Sequence, residues 1–136
     1  AARFPWVDVI PVTVSLTGGP EPTINRMIRR SLGRDVEFEA NRRRNRFNRR
    51  LVDEYSGRHA VFDLARLEST RPDGTRAFDY DGGEVVYSLA PEYADNDTRL
   101  TGAAQRMLGE QLLVFLAGLP LPSRELVATR RGMATA

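Results

Sequence analysis

Residues 7–16 read VDVIPVTVSL, a run in which valine and isoleucine fall on both alternating faces. A strand that is apolar on both sides suits a parallel sheet covered by helices above and below, because a half-solvated antiparallel strand alternates apolar with polar residues. Pro11 interrupts the run. Proline has no N–H to give to a ladder, so the strand is expected to be an edge there or to carry a bulge.

The flanking sequence extends this pattern. After the turn residues of Thr17-Gly-Gly-Pro-Glu-Pro, Thr23 is placed to cap a helix over 23–33 whose apolar positions are Ile24, Met27, Ile28 and Leu32, with Gly33 to end it. A second helix is expected over 38–55, with Phe47, Leu51, Val52 and Tyr55 inward and Gly57 as its stop. Asp35, Glu37 and Glu39 lie near its start, where negative charge favours the helix dipole. Residues 59–65 (HAVFDLA) read as a second buried strand with Asp63 near its end. Residues 70–81 carry the turn signals Pro72-Asp73-Gly74 and Asp81-Gly82-Gly83 and predict a loop or small hairpin. From 102 to 116, Ala104, Met107, Leu108, Leu112, Phe115 and Leu116 make an amphipathic helix with Thr101 as its cap. Residues 1–119 are thus expected to fold, and 120–136 to form a flexible polar tail.

Strand, two helices, strand, loop and helix belong to α/β architecture, with strands 7–14 and 60–64 parallel and adjacent through a right-handed crossover. Two strands cannot bury both of their faces under helices unless others extend the sheet, so the chain reads as part of a larger domain or of an assembly.

Composition narrows the function. The chain has 136 residues, 41% hydrophobic and 28% charged, the profile of one folded globular domain. All twenty basic residues are arginine, yet the net charge is only +2, which does not imply a nucleic-acid partner. With no cysteine there is no disulfide, thiol nucleophile or thiolate metal site, and no cofactor is called for. No apolar run approaches the roughly 20 residues of a membrane span. The chain opens at Ala1 almost directly into a strand-like segment, which is expected of a chain whose upstream region has been removed and is compatible with a periplasmic or secreted location.

Three local features invite functional readings. Residues 41–50 (NRRRNRFNRR) hold six arginines, and a phosphate-binding face is weighed against a solvated face with local salt bridges; the second is preferred, because Phe47 and Leu51 are expected to tie the opposite face to a core. Asp73, Asp79, Asp81, Glu84, Asp95 and Asp97 cluster in loops, but their spacing matches no calcium loop and suits ordinary turn use. His59, the single histidine, starts a predicted strand, away from the carboxyl ends where ligands bind in parallel sheets, so a structural or exposed role is favoured over that of a general base.

Residues 4–17 (FPWVDVIPVTVSLT), 45–69 (NRFNRRLVDEYSGRHAVFDLARLES) and 93–117 (YADNDTRLTGAAQRMLGEQLLVFLA) together resemble the second half of SGNH/GDSL-type hydrolases. The resemblance implies a partial flavodoxin-like, three-layer α/β/α fold with parallel strands, and serine-dependent hydrolysis of esters or acetyl esters, carbohydrate esters among them. In the third stretch it sets Asn96 at the position of the catalytic acid and Arg99 at that of the histidine, with Asp95 and Asp97 as neighbouring acids; Thr101 and Ala104 stand where Asn and Gly are expected. The family's Gly-Asp-Ser nucleophile block has no counterpart, and none of Ser15, Ser31, Ser56, Ser69, Ser88 and Ser123 lies in such a setting. Arginine stays protonated and offers no acceptor, so Arg99 cannot take a proton from a serine. The resemblance therefore implies a chain inactive by itself: either part of an esterase whose serine-bearing half or partner subunit is elsewhere, or a non-catalytic relative that binds carbohydrate or protein. A weaker alternative is an arginine-rich nucleic-acid-binding module.

Overall fold

The computed structural model of the chain describes residues 9–18, 36–81, 83–95 and 99–120. Within them run helix α1 (Val36–Tyr55), helix α2 (Leu64–Ser69), strands β1 (Phe78–Asp81) and β2 (Glu84–Tyr87), a single 3₁₀ turn (Pro91–Tyr93), strands β3 (Ala94–Asp95) and β4 (Arg99–Leu100), and helix α3 (Gly102–Ala117). The fold is a mixture of helix and strand, as expected. The expected helix over 23–33 and residues 121–136 of the tail lie outside the described residues. Among those described, no helix is long and apolar enough to cross a membrane.

The two named sheets are antiparallel pairs, β1 with β2 and β3 with β4. This corrects the expectation of parallel strands over 7–16 and 59–65. The two segments do lie side by side and parallel, but only through one bridge, Val12 to Phe62. Thr13 N donates to Phe62 O (3.2 Å) and Phe62 N to Pro11 O (3.0 Å). Both ends of that bridge are blocked for physical reasons. Toward the N-terminus the next rung would need an N–H from Pro11, which has none. Toward the C-terminus, Asp63 caps α2 by accepting from Arg66 N, so the chain turns into helix at Leu64 before a second rung can form. Thr13 substitutes for that rung with its side chain: its hydroxyl donates to Asp63 Oδ1 (3.1 Å) and accepts from Ala65 N (2.8 Å). A second parallel bridge joins Gly18 to Leu89.

Helix α1 ends as its sequence suggests, with Gly57 at φ +91° just beyond it, a conformation that glycine adopts without strain. The segment 70–81 resolves into a turn followed by β1, and Gly83 (φ +85°) closes a hairpin in which Phe78 faces Tyr87 and Asp81 faces Glu84. The central apolar cluster is small: Leu16, Ala65 and Leu89, with Tyr87, Tyr93, Ala94 and Leu100 packed against it. Thr101 caps α3 by accepting from Ala104 N (3.2 Å), as expected. The apolar stripe of α3 begins in the core at Ala104 and Leu108, reaches Phe62 through the Phe115 ring (5.2 Å between centroids), and then runs out into solvent at Leu112 and Leu116.

Candidate functional site

The inward face of α1 is not the apolar one. Phe47 is 53% exposed and Tyr55 is exposed too, against the expectation that they bind this helix to a core. The buried positions are Asn41, Asn45 and Asn48, spaced i, i+4, i+7 and so stacked on one face. Each carboxamide meets a backbone peptide with donor to acceptor and acceptor to donor, as a neighbouring strand would. Asn41 accepts from Thr17 N (2.9 Å) and donates to Thr17 O (2.8 Å). Asn48 accepts from Val14 N (2.7 Å) and donates to Val14 O (2.8 Å). Asn45 accepts from Tyr87 N (3.0 Å) and donates to Tyr87 O (2.8 Å). A buried peptide group without a partner costs about 1–3 kcal/mol, so this row of amides lets an extended segment lie against a helix instead of against another strand. The spacing of three asparagines was the sequence signal for this face, and a search for apolar periodicity passes over it.

The same segment is held from its other side by Glu68, which is fully buried on α2. Its carboxylate accepts from Ser15 Oγ and from Leu16 N, both at 2.7 Å. Burial pushes its pKa up, against the lowering effect of those two hydrogen bonds and of the Arg44 charge. Next to it on α2, buried Ser69 donates to Ala65 O (2.7 Å) and accepts from Arg76 through Nε (3.1 Å) and Nη2 (2.6 Å). The Arg76 guanidinium carbon lies 3.4 Å from the centre of the Tyr87 ring, a cation–π stack. Between α1, the start of α2 and this stacked pair opens a cleft of about 180 Å³, onto which Asn45, Asn48, Asp63, Arg66, Arg76 and Tyr87 face.

The arginine run of α1 is partly consumed by structure. Arg42 and Arg46 both bind the Glu84 carboxylate (3.2 and 3.1 Å), and their hydrogen bonds, that of Arg46 foremost, hold its pKa below the usual carboxylate range. Arg44 donates to Thr17 Oγ1 (3.1 Å). Asp73 closes its own turn by accepting from the Thr75 hydroxyl and N–H, which lowers its pKa. Among the described residues no group of three or more acids and histidines is gathered for a metal ion. His59 is exposed one turn past α1, with its N–H on Tyr55 O (3.0 Å) and its ring 6.0 Å from that of Tyr55.

Of the positions set apart by the family resemblance, Asp95 and Arg99 face each other across the β3–β4 pair, and both are exposed. Asn96 and Asp97 lie in the connection between those strands, outside the described residues. The hairpin is anchored by Thr101 N donating to Tyr93 O (2.8 Å), so Arg99 sits two residues before the cap of α3. No family model matches the chain, and no curated protein or solved structure matches it.

Proposed function

We propose that this chain is an SGNH/GDSL-type hydrolase-like unit, the C-terminal part of such a domain, and that it does not hydrolyse esters by itself. The observation that supports this reading best is the exposed apolar surface beside the Val12–Phe62 bridge and on α3. Val9 is 76% exposed, Val12 and Val14 are exposed beside the Phe62 bridge, and Leu113 and Val114 of α3 are 67% exposed each. Apolar surface of this kind, flanking an extended segment, is what further elements of a larger α/β domain would cover. In this reading a serine-bearing half or partner subunit supplies them, together with the nucleophile and the oxyanion donors.

The chemistry assigned to this chain is then that of a drifted acid–histidine block. Asn96 can orient an imidazole but brings no charge to stabilise an imidazolium, and Arg99 offers only donors. Asp95 and Asp97 are acids with no histidine to serve. Ser15 does touch a carboxylate, that of Glu68, but the second oxygen of Glu68 is committed to Leu16 N, which makes the pair a clamp on the backbone. A non-catalytic relative that binds carbohydrate or protein is the second reading, favoured by the polar cleft beside Arg76. The nucleic-acid reading is weaker, since Arg42, Arg44 and Arg46 already have protein partners.

The test is a two-by-two comparison of p-nitrophenyl acetate and acetylated-sugar hydrolysis, with and without an added Gly-Asp-Ser-bearing half and with and without Asn96→Asp plus Arg99→His. Turnover is expected only when both are supplied, because the members of a triad act as a unit. Turnover by the unmodified chain that disappears on replacing one of its serines defeats the proposal.

A further inference from the structure

The cleft beside Arg76 is built around a cation that is fixed before anything binds. Its guanidinium is pinned along one edge by two hydrogen bonds to Ser69 Oγ, and on one face by the Tyr87 ring. Ser69 is itself fully buried, and its own proton is directed to Ala65 O, which leaves its lone pairs to Arg76. Tyr87 adds a side-chain hydrogen bond to its stack on the guanidinium, and the two Ser69 bonds use only Nε and Nη2. Burial lowers the Arg76 pKa, offset in part by Tyr87 and the Asp63 carboxylate, while the Arg66 charge acts in the same direction as burial. Arg49 and Arg66 stand exposed on the rim and add two more guanidinium groups with no side-chain partner among the described residues. Asp63, which also lines the cleft and whose charge acts on Arg76, accepts from Thr13 Oγ1 and Arg66 N through Oδ1, and Oδ2 is left as an acceptor.

We propose that this cleft binds a small hydroxylated anion, a sugar acid or a sugar phosphate, with its carboxylate or phosphate among the Arg76, Arg49 and Arg66 guanidinium groups, and a hydroxyl on Asp63 Oδ2. A planar guanidinium held with donors to spare matches a carboxylate or phosphate oxygen pair, and a carboxylate acceptor beside it selects for hydroxyl donors. The volume of about 180 Å³ corresponds to about six water molecules at roughly 30 Å³ each, which fits a single sugar unit and not a polymer segment. This site is separate from the Asp95–Arg99 hairpin and does not depend on the hydrolase reading.

The experiment is a calorimetric or NMR titration of the full chain with glucuronate, glucose 6-phosphate and neutral glucose. Saturable binding of one anionic probe is expected, with glucose weaker by at least about ten-fold, one charge-assisted contact or more. The preferred anion then separates a carboxylate ligand from a phosphate one. Arg49→Gln with Arg66→Gln, both exposed and without structural partners, should weaken the preferred probe by about ten-fold or more while the melting temperature is unchanged. Arg76→Lys, which keeps the charge but loses the fork, should weaken it similarly. If that variant does not fold, the rim pair decides alone. No saturable binding of either anion, glucose binding as tightly as the anions, or a rim variant that binds like the parent chain overturns the proposal.

Discussion

The two long helices among the described residues reverse the usual relation between polarity and burial. Helix α1 is strongly polar, yet Asn41 at 3% exposure is among the most buried residues of the molecule, and Asn45 and Asn48 lie almost as deep. Helix α3 is apolar over most of its second half, yet Leu113 and Val114 stand in solvent. The difference lies in what each helix meets. Helix α1 packs against extended backbone at Val14, Thr17 and Tyr87, whose peptide groups need hydrogen-bond partners more than they need hydrocarbon. Helix α3 meets side chains at Leu108 and Phe115, and beyond them nothing among the described residues covers it. Burial follows the demands of the surface opposite, and hydropathy alone predicts neither helix correctly.

The sharpest way to break this comparison is to make α1 more hydrophobic. Asn45→Leu should destabilise the chain by about 2 kcal/mol or more, because it strands the Tyr87 N–H and C=O. Phe47→Ala, which removes a large but exposed ring two positions on, should cost less than about 1 kcal/mol. Urea unfolding of the two variants gives the order directly. The reverse order would restore the apolar-stripe description of this helix.

An intermediate effect is expected at Glu68, which fixes the same segment from the side of α2. Glu68→Ala should cost about 1–3 kcal/mol by leaving Leu16 N unpaired in the interior. Glu68→Gln keeps an acceptor while removing the buried charge, and its effect should depend on pH. Because burial raises the Glu68 pKa above 4.5, the folded chain holds that proton more tightly than the unfolded chain does. The stabilising share of this group is therefore full below the unfolded value and is lost as pH rises through the folded one. The stability difference should move in favour of the Gln variant as pH increases from 4.5, and then level off. Glu84 and Asp73, with lowered pKa values, act in the opposite sense and lose their contribution as pH falls below the ordinary carboxylate range. Denaturant midpoints measured at several pH values test this; a difference independent of pH would show that the buried charge carries no penalty.

The smallest effect is expected on α3. Leu113→Gln with Val114→Gln should change stability by no more than about 0.5 kcal/mol, since both side chains are already largely in water. A larger loss in the melting midpoint would mean that this face is covered in solution, and would remove much of the contrast with α1.

What the sequence by itself determined was local and directional. Gly57 and Gly83 mark the end of α1 and the hairpin turn because a positive φ is easy only without a Cβ, and Thr101 marks the start of α3 because its hydroxyl reaches an amide that the helix leaves unpaired. Val12 and Phe62 were legible as parallel neighbours from the apolar character of their segments. The length of their pairing was not, although both of the residues that limit it, Pro11 and Asp63, are plain in the sequence, since whether Asp63 continues a strand or caps a helix depends on the Thr13 hydroxyl facing it. The role of the asparagines and the assembly of Ser69, Arg76 and Tyr87 around a cleft were decided by tertiary structure alone. The spacing of the asparagines marks a helix face, but the backbone each one meets cannot be read from it, because the partner lies 24 to 42 residues away and can be recognised only once the chain has brought the two together.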